Sequence, residues 1–185
     1  ITFIIAIFAI AALGINSPKL TERMFLVPAK DMGFIESSKK GTIFSEQHDS
    51  HIRTAINIFK DKPILGHGPK MFRIKCSETK FSVGRFPCSS HPHNFYVQLL
   101  AETGIVGFSF LLIIFFYVLF QSLTQLKTIL LKKKRHLSDY QVCLLAGILI
   151  TVWPFSPNGN FFNNWMIIIY SLPFGFYLQS IYSKK

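Results

Sequence analysis

Between residues 91 and 107 the chain reads HPHNFYVQLLAETGIVG, with two histidines and an asparagine directly ahead of a helical, increasingly apolar run. Imidazole is the usual proton carrier near neutral pH, so His91 and His93 are candidates for general acid–base work. At the start of a helix they also meet backbone N–H groups without an intrahelical acceptor, which favour an anion. The same residues would serve as a plain cap and turn, and because they alternate along the chain they need not point the same way. Asn94, Gln98 and Glu102 recur every four residues over a short helix expected at 94–103, so they form one polar stripe.

The second group is cationic. Thirteen Lys and Arg stand against eight Asp and Glu between residues 16 and 104, an excess that suits an anionic ligand. Arg23, Arg53, Arg73 and Arg85 lie there, and the guanidinium fork matches two phosphate oxygens. Arg53 is the best placed. Around it, Ile52, Ala55, Ile56 and Phe59 fall at helical spacing, Asp49 or Ser50 supplies a cap, and Pro63 supplies a stop. Arg53, Asn57 and Lys60 share the opposite side of that helix. For any one of these cations, a solvated surface charge is the ordinary alternative.

Three further groups follow. Gly66-His67-Gly68-Pro69 allows positive φ or close approach, but it is too short for a Walker loop and lacks the Lys-Ser/Thr ending. A tight turn is expected there, with His67 able to face a pocket. Cys76 and Cys88 can form a disulfide around residues 80–86. Together with His91 and His93 they are zinc ligands in type, but no Cys-x-x-Cys spacing supports a site and no metal is expected. Cys143 falls in an apolar run and is expected to be inert. Gly104 and Gly107 let a helix approach its neighbour closely, where the short helix joins the apolar run.

The elements that must hold these groups are apolar. Of 185 residues, half are hydrophobic, 20 are Phe and only 16% are charged. Mean hydropathy is +0.36. This balance suits membrane spans plus a polar portion rather than one soluble domain. The expected order is the end of a span at 1–15, a large external segment at 16–104, a span at 105–131, a basic cytoplasmic loop at 132–139, a span at 140–155, a short external turn at 156–160, and a span with the start of a cytoplasmic tail at 161–181. Lys132-Lys133-Lys134-Arg135 and Lys184-Lys185 both flank apolar runs, and positive flanks mark the cytoplasmic side. The segment 16–104 is then expected outside, in the periplasm of a double-membrane bacterium. The net charge of +11 sits beside membrane segments, so nucleic acid is not an expected partner. Because the sequence starts apolar at Ile1, it is read as the C-terminal part of a longer protein.

On these residues the chain resembles the O-antigen ligase and polymerase superfamily of bacterial membrane proteins. The ligase signature there is His, then Asn, Ser or Gln, nine residues, then Gly-x-x-Gly/Thr/Tyr. His93-Asn94, the nine residues Phe95–Thr103, and Gly104-Ile105-Val106-Gly107 fit it throughout. The helix before Pro63-Ile64-Leu65-Gly66-His67-Gly68-Pro69 and Phe72 is similar to the family's helix, Pro-x-x-Gly-x-Gly, Phe passage. The resemblance implies an all-α polytopic membrane protein, a fragment like a C-type glycosyltransferase with a large external loop containing short helices. It implies transfer of a glycan from undecaprenyl pyrophosphate to a hydroxyl of the lipid A core, with inversion and without metal or other cofactor. The alternative within the superfamily is a polymerase that extends lipid-linked repeats.

Carried over, the essential loop histidine falls on His93 and the diphosphate-binding arginine on Arg53. Asn94, Gln98, Glu102, Lys60, Arg73, His67 and His91 are then candidates for binding substrate, and Gly66, Gly68, Gly104 and Gly107 for shaping the loop. Cys76, Cys88 and His67 depart from the family pattern. A flippase would place its polar residues near the midplane of its spans, and a structural subunit would not explain a His-Asn pair near an Arg-bearing helix.

Overall fold

The computed structural model describes residues 17–31 and 44–182. The span expected at 1–15 lies outside the described residues. The chain divides into two units, residues 1–50 and 51–185. In the first, α1 (Pro18–Thr21), a π-helical turn (Glu22–Leu26) and α2 (Val27–Asp31) follow without a break. The wide turn sits just before Pro28, whose ring nitrogen has no proton to give to the preceding turn.

The second unit holds α3 (Glu46–Asp61) from His51 onward, α4 (Phe72–Lys75), α5 (Phe95–Leu130), α6 (Asp139–Thr151) and α7 (Asn164–Tyr182). No strand occurs among the described residues, and the stretch 70–86 is turns around α4. Two apolar clusters hold the unit together. One joins α5, α6 and α7 through Phe95, Leu99, Leu111, Leu145, Ile148 and Tyr177. The other packs Ala55 and Ile58 of α3 against Phe72, Cys76, Phe81 and Ala101. Cys76 and Cys88 are joined by a disulfide, with Cα atoms 5.1 Å apart.

Caps set the helix starts. The Asn94 side chain accepts from the backbone N–H groups of Tyr96 and Val97 at 3.0 and 3.2 Å, which satisfies two donors left open by the first turn of α5. Ser138 and Gln141 form a reciprocal capping box on α6.

The helix α5 is broken at one point. Gly104 has φ 64° and ψ −164°, far from helical values. In a regular helix the N–H groups of residues 105 and 106 would reach the carbonyls of 101 and 102. Here Ile105 N–H donates to the Pro63 carbonyl at 2.8 Å and Val106 N–H to the Ile64 carbonyl at 3.4 Å. The carbonyls so released are taken up from the same loop. Ala101 accepts from His67 N–H at 3.2 Å and Glu102 accepts from Gly68 N–H at 2.8 Å. Loop 63–68 is therefore spliced into the break.

The splice needs glycine on both sides. A Cβ on Gly104 would overlap the Ile64 carbonyl group, and a Cβ on Gly66 would overlap the Glu102 carbonyl group. Both residues also have positive φ, which L side chains rarely adopt.

Two expectations are corrected. Among the described residues only α5 is long and apolar enough to cross a membrane, so the polytopic architecture does not hold. With it goes the multi-pass inner-membrane placement with a large periplasmic loop. The physical reasons lie in the two later segments. The 13 residues of α6 reach about 20 Å at 1.5 Å each, short of the roughly 30 Å hydrocarbon layer. The 19 residues of α7 include Pro173 and are diluted by Asn164, Ser171, Gln179 and Ser180.

Candidate functional site

The loop that enters α5 places His93 in an unusual conformation. Its φ is 58°, a left-handed value that non-glycine residues rarely adopt and that functional sites often retain. Neighbours fix the turn. The His93 carbonyl accepts from Asn158 N–H at 3.0 Å, and Asn94 Nδ2 donates to the Pro154 carbonyl at 2.7 Å. The His93 ring is half-buried, with Nε2 3.2 Å from Ser89 Oγ.

Two more imidazoles face that ring. His91 lies 4.2 Å away, centroid to centroid, at 49°. His51 of α3 is stacked on the ring at 5.4 Å and 29°, and is wholly buried. His91 Nε2 is 3.2 Å from the Asn158 carbonyl, which can only accept, so that nitrogen carries the proton. Its Nδ1 then accepts from the Ser90 hydroxyl at 2.8 Å. Both ring nitrogens are satisfied by the neutral form. Burial lowers the His91 pKa below the ordinary 6.5, the charge of His51 lowers it further, and the hydrogen bond to Asn158 works the other way.

The polar stripe of α5 is engaged within the protein. Gln98 Nε2 donates to Glu102 Oε2 at 3.1 Å and to Asn160 Oδ1 at 2.8 Å, while its Oε1 accepts from Phe161 N–H at 2.9 Å. Glu102 Oε1 accepts from Phe72 N–H at 2.9 Å and so holds the start of α4. Asn94, Gln98 and Glu102 thus tie α5 to the 154–161 connection and to α4.

His67 belongs elsewhere. Its Nε2 is 3.2 Å from Asp61 Oδ2 and its ring meets Phe81 edge-on at 5.8 Å. Burial lowers its pKa below 6.5 against the opposing pull of Asp61.

The structure brings His91 and His93 together and adds His51. Arg53 and Lys60 are exposed, and Arg53 lies roughly 200° around α3 from His51 by helical geometry. Arg73 is exposed on α4, near enough for its charge to act on Glu102. Among the described residues, no group of three or more His, Cys, Asp or Glu is arranged to hold a metal ion.

The residue missed on sequence is His51. The apolar face was expected through Ile52, Ala55, Ile56 and Phe59, whereas His51, Thr54, Ala55 and Ile58 are the fully covered positions. The spacing i, i+3, i+4, i+7 from His51 is the signal that finds it.

An apolar cavity of about 560 Å³ runs along one stripe of α5, from Phe95 past Leu99, Thr103 and Gly107, with Tyr170 and Phe174 of α7 as its far wall. It starts two residues from His93.

A family model described as O-Antigen ligase matches residues 1–112. The match covers more than half of the chain, includes the three histidines and both spliced glycines, and ends within α5. No curated protein matches the chain, and no solved structure does.

Proposed function

The chain belongs to the O-antigen ligase family, and from that premise we propose that it moves a glycan from undecaprenyl pyrophosphate to a sugar hydroxyl of the lipid A core. In this reading His93 is the general base. The acceptor oxygen forms the new bond to the anomeric carbon, its proton passes to a ring nitrogen of His93, and the bond from the anomeric carbon to the pyrophosphate oxygen breaks with inversion. The leaving pyrophosphate takes the electron pair and needs no further activation. Arg53 is assigned to the diphosphate, with Lys60 and Arg73 as further cations, because guanidinium stabilises charge that grows on the leaving oxygens.

The observation that carries this reading is the half-buried His93 ring, held in a left-handed turn at the entrance of the helix that is long and apolar enough to cross a membrane. A lipid-linked substrate has its reacting bond at such a place, with the chain in the bilayer and the head group just outside. The apolar cavity that begins at Phe95 suits part of such a lipid.

The test is transfer by the full-length protein from purified lipid-linked glycan, with lipid A-core and lipid-linked repeats offered as acceptors. Glycan on the lipid A core is expected. Longer lipid-linked chains alone would make the protein a polymerase. For Arg53→Ala, we expect kcat to fall about tenfold or more with little change in the acceptor KM. Unchanged turnover would remove Arg53 from the reaction.

A further inference from the structure

The loop spliced into α5 carries two apolar side chains that the splice does not use. Its bonds to α5 are made by backbone groups, the carbonyls of Pro63 and Ile64 and the N–H groups of His67 and Gly68, so polar side chains at 64 and 65 would join the helix as well. Ile64 and Leu65 are instead 66% and 72% exposed. They sit at the tip of a turn closed by Gly66 N–H, which donates to the Lys62 carbonyl at 3.0 Å. A single surface residue of this kind would need no account, but these two do not stand alone. Ile105 and Val106, whose N–H groups reach the same turn, are about half exposed, and Phe110, Ile113 and Phe120 continue the exposed stripe from Val106 along one face of α5.

We propose that this turn is a bilayer anchor: Ile64 and Leu65 enter the outer edge of the hydrocarbon layer beside α5, and Lys62 and Lys70, on either side of them, meet anionic lipid phosphates. The inference rests on α5 lying in a bilayer, not on the chemistry assigned to His93. The level of the turn argues for lipid as the occupant. No charged residue stands between Glu102 and Lys127. Counted from Ile105, the roughly 20 helical residues that cross a hydrocarbon layer of about 30 Å end near residue 125. The charge-free stretch therefore fits one bilayer with its edge at Ile105, and the turn is bonded to Ile105 and Val106 at that edge. Charge agrees. Lys62 and Lys70 are exposed, while Asp61, the one acidic residue between 60 and 70, is paired with Lys80 and His67. A lysine beside an anionic surface gains about fivefold in local affinity, and its apolar stem can lie along lipid with the ammonium in the phosphate layer.

The test reads depth. A nitrobenzoxadiazole label is placed on Ile64→Cys in the full-length protein, with its free cysteines, Cys143 among them, replaced by serine and the Cys76–Cys88 disulfide intact. The protein is reconstituted into vesicles of phosphatidylcholine and phosphatidylglycerol. Quenching is measured with lipids spin-labelled near the glycerol or near the chain end, and with iodide in the water. Ile113→Cys, about 12 Å further along α5, is the deep reference, and the glutathione adduct of the label is the water reference. At residue 64 the shallow spin label is expected to quench about threefold better than the deep one, with the order reversed at 113, and iodide to quench roughly half as well as in water, or less. Spin-labelled phosphatidylglycerol should quench at 64 about twofold better than spin-labelled phosphatidylcholine, an excess that disappears in Lys62→Ala/Lys70→Ala and at about 1 M salt. Leu65→Cys carries the same test if the first variant does not fold.

Full iodide quenching at 64 without quenching by lipid overturns the proposal. Protection from both means that protein covers the turn, from another part of the molecule or a second copy, and overturns it too. Equal quenching by the two head groups overturns the pairing of the lysines with anionic lipid. If lipid reaches neither 64 nor 113, α5 does not lie in the bilayer and the anchor falls with it. None of these readings needs turnover, so absence of glycan transfer would count against the proposed function alone.

Discussion

The backbone of His93 decides which substitution is informative. Alanine tolerates φ 58° less well than histidine does, so His93→Ala mixes a folding effect with a chemical one. Asparagine tolerates that conformation better. His93→Asn is therefore expected to unfold at nearly the wild-type temperature while transfer falls by about 10²- to 10⁴-fold, the usual contribution of a general base. Near-normal transfer by that variant would take the base role from His93.

The two histidines with lowered pKa values, His67 and His91, make a further prediction about stability. Each binds a proton more readily in the unfolded chain than in the fold, so the unfolded state takes up more protons as the pH falls below the ordinary 6.5. Their contribution is complete above that pH and is lost as the pH drops toward their folded values. Thermal unfolding between pH 7 and 5 is expected to show a falling midpoint, with a shallower fall in His91→Gln. At this scale the sequence exposed His91 and His93 through their position before a helix. It did not expose His51, because a rotation of α3 by one residue decides which side is covered, and packing partners distant in sequence set that rotation.

At the scale of elements, the two glycine motifs are halves of one joint. Each was legible separately as a Gly-x-Gly turn and a Gly-x-x-Gly step. Their pairing was not, since loop 63–68 and residues 101–106 meet only through tertiary hydrogen bonds. Gly66→Ala and Gly104→Ala are each expected to destabilise by about 2–4 kcal/mol, from positive φ plus overlap with backbone that has no rotamer to move. Gly147, whose added Cβ would meet nothing within 4 Å, is the control, and Gly147→Ala should unfold no earlier than wild type. Thermal unfolding of the three variants side by side checks this. The disulfide closes a loop of 12 residues, for which chain entropy gives about 3 kcal/mol. Cys88→Ser should lower the unfolding midpoint without abolishing transfer, because the proposed step gives neither cysteine a role.

Over the described residues, helices were legible from apolar runs and helical spacing, the all-α class was what the family resemblance implied, and the number of spans was not legible. Apolar runs at 140–155 and 161–178 resemble spans in composition, but the length of α6 and the proline and polar positions of α7 set what each can do. That leaves α5, whose outward positions Phe110, Ile113 and Phe120 are each about two-thirds exposed in the isolated chain. If α5 crosses a bilayer, Ile113→Arg should oppose insertion by about 3 kcal/mol, seen as loss from the alkali-resistant membrane fraction. Full retention would count against α5 as a span. The joint at Gly104 also gives the nine-residue interval between Asn94 and Gly104 a mechanical meaning. Asn94 is pinned at one end by its cap and the break is pinned at the other, so the helical stretch between them works as a ruler. Inserting a single alanine would twist the far end through about 100° and push it about 1.5 Å, aiming two peptide carbonyls at empty space. Adding or removing one residue there should do more harm than changing any exposed side chain along it.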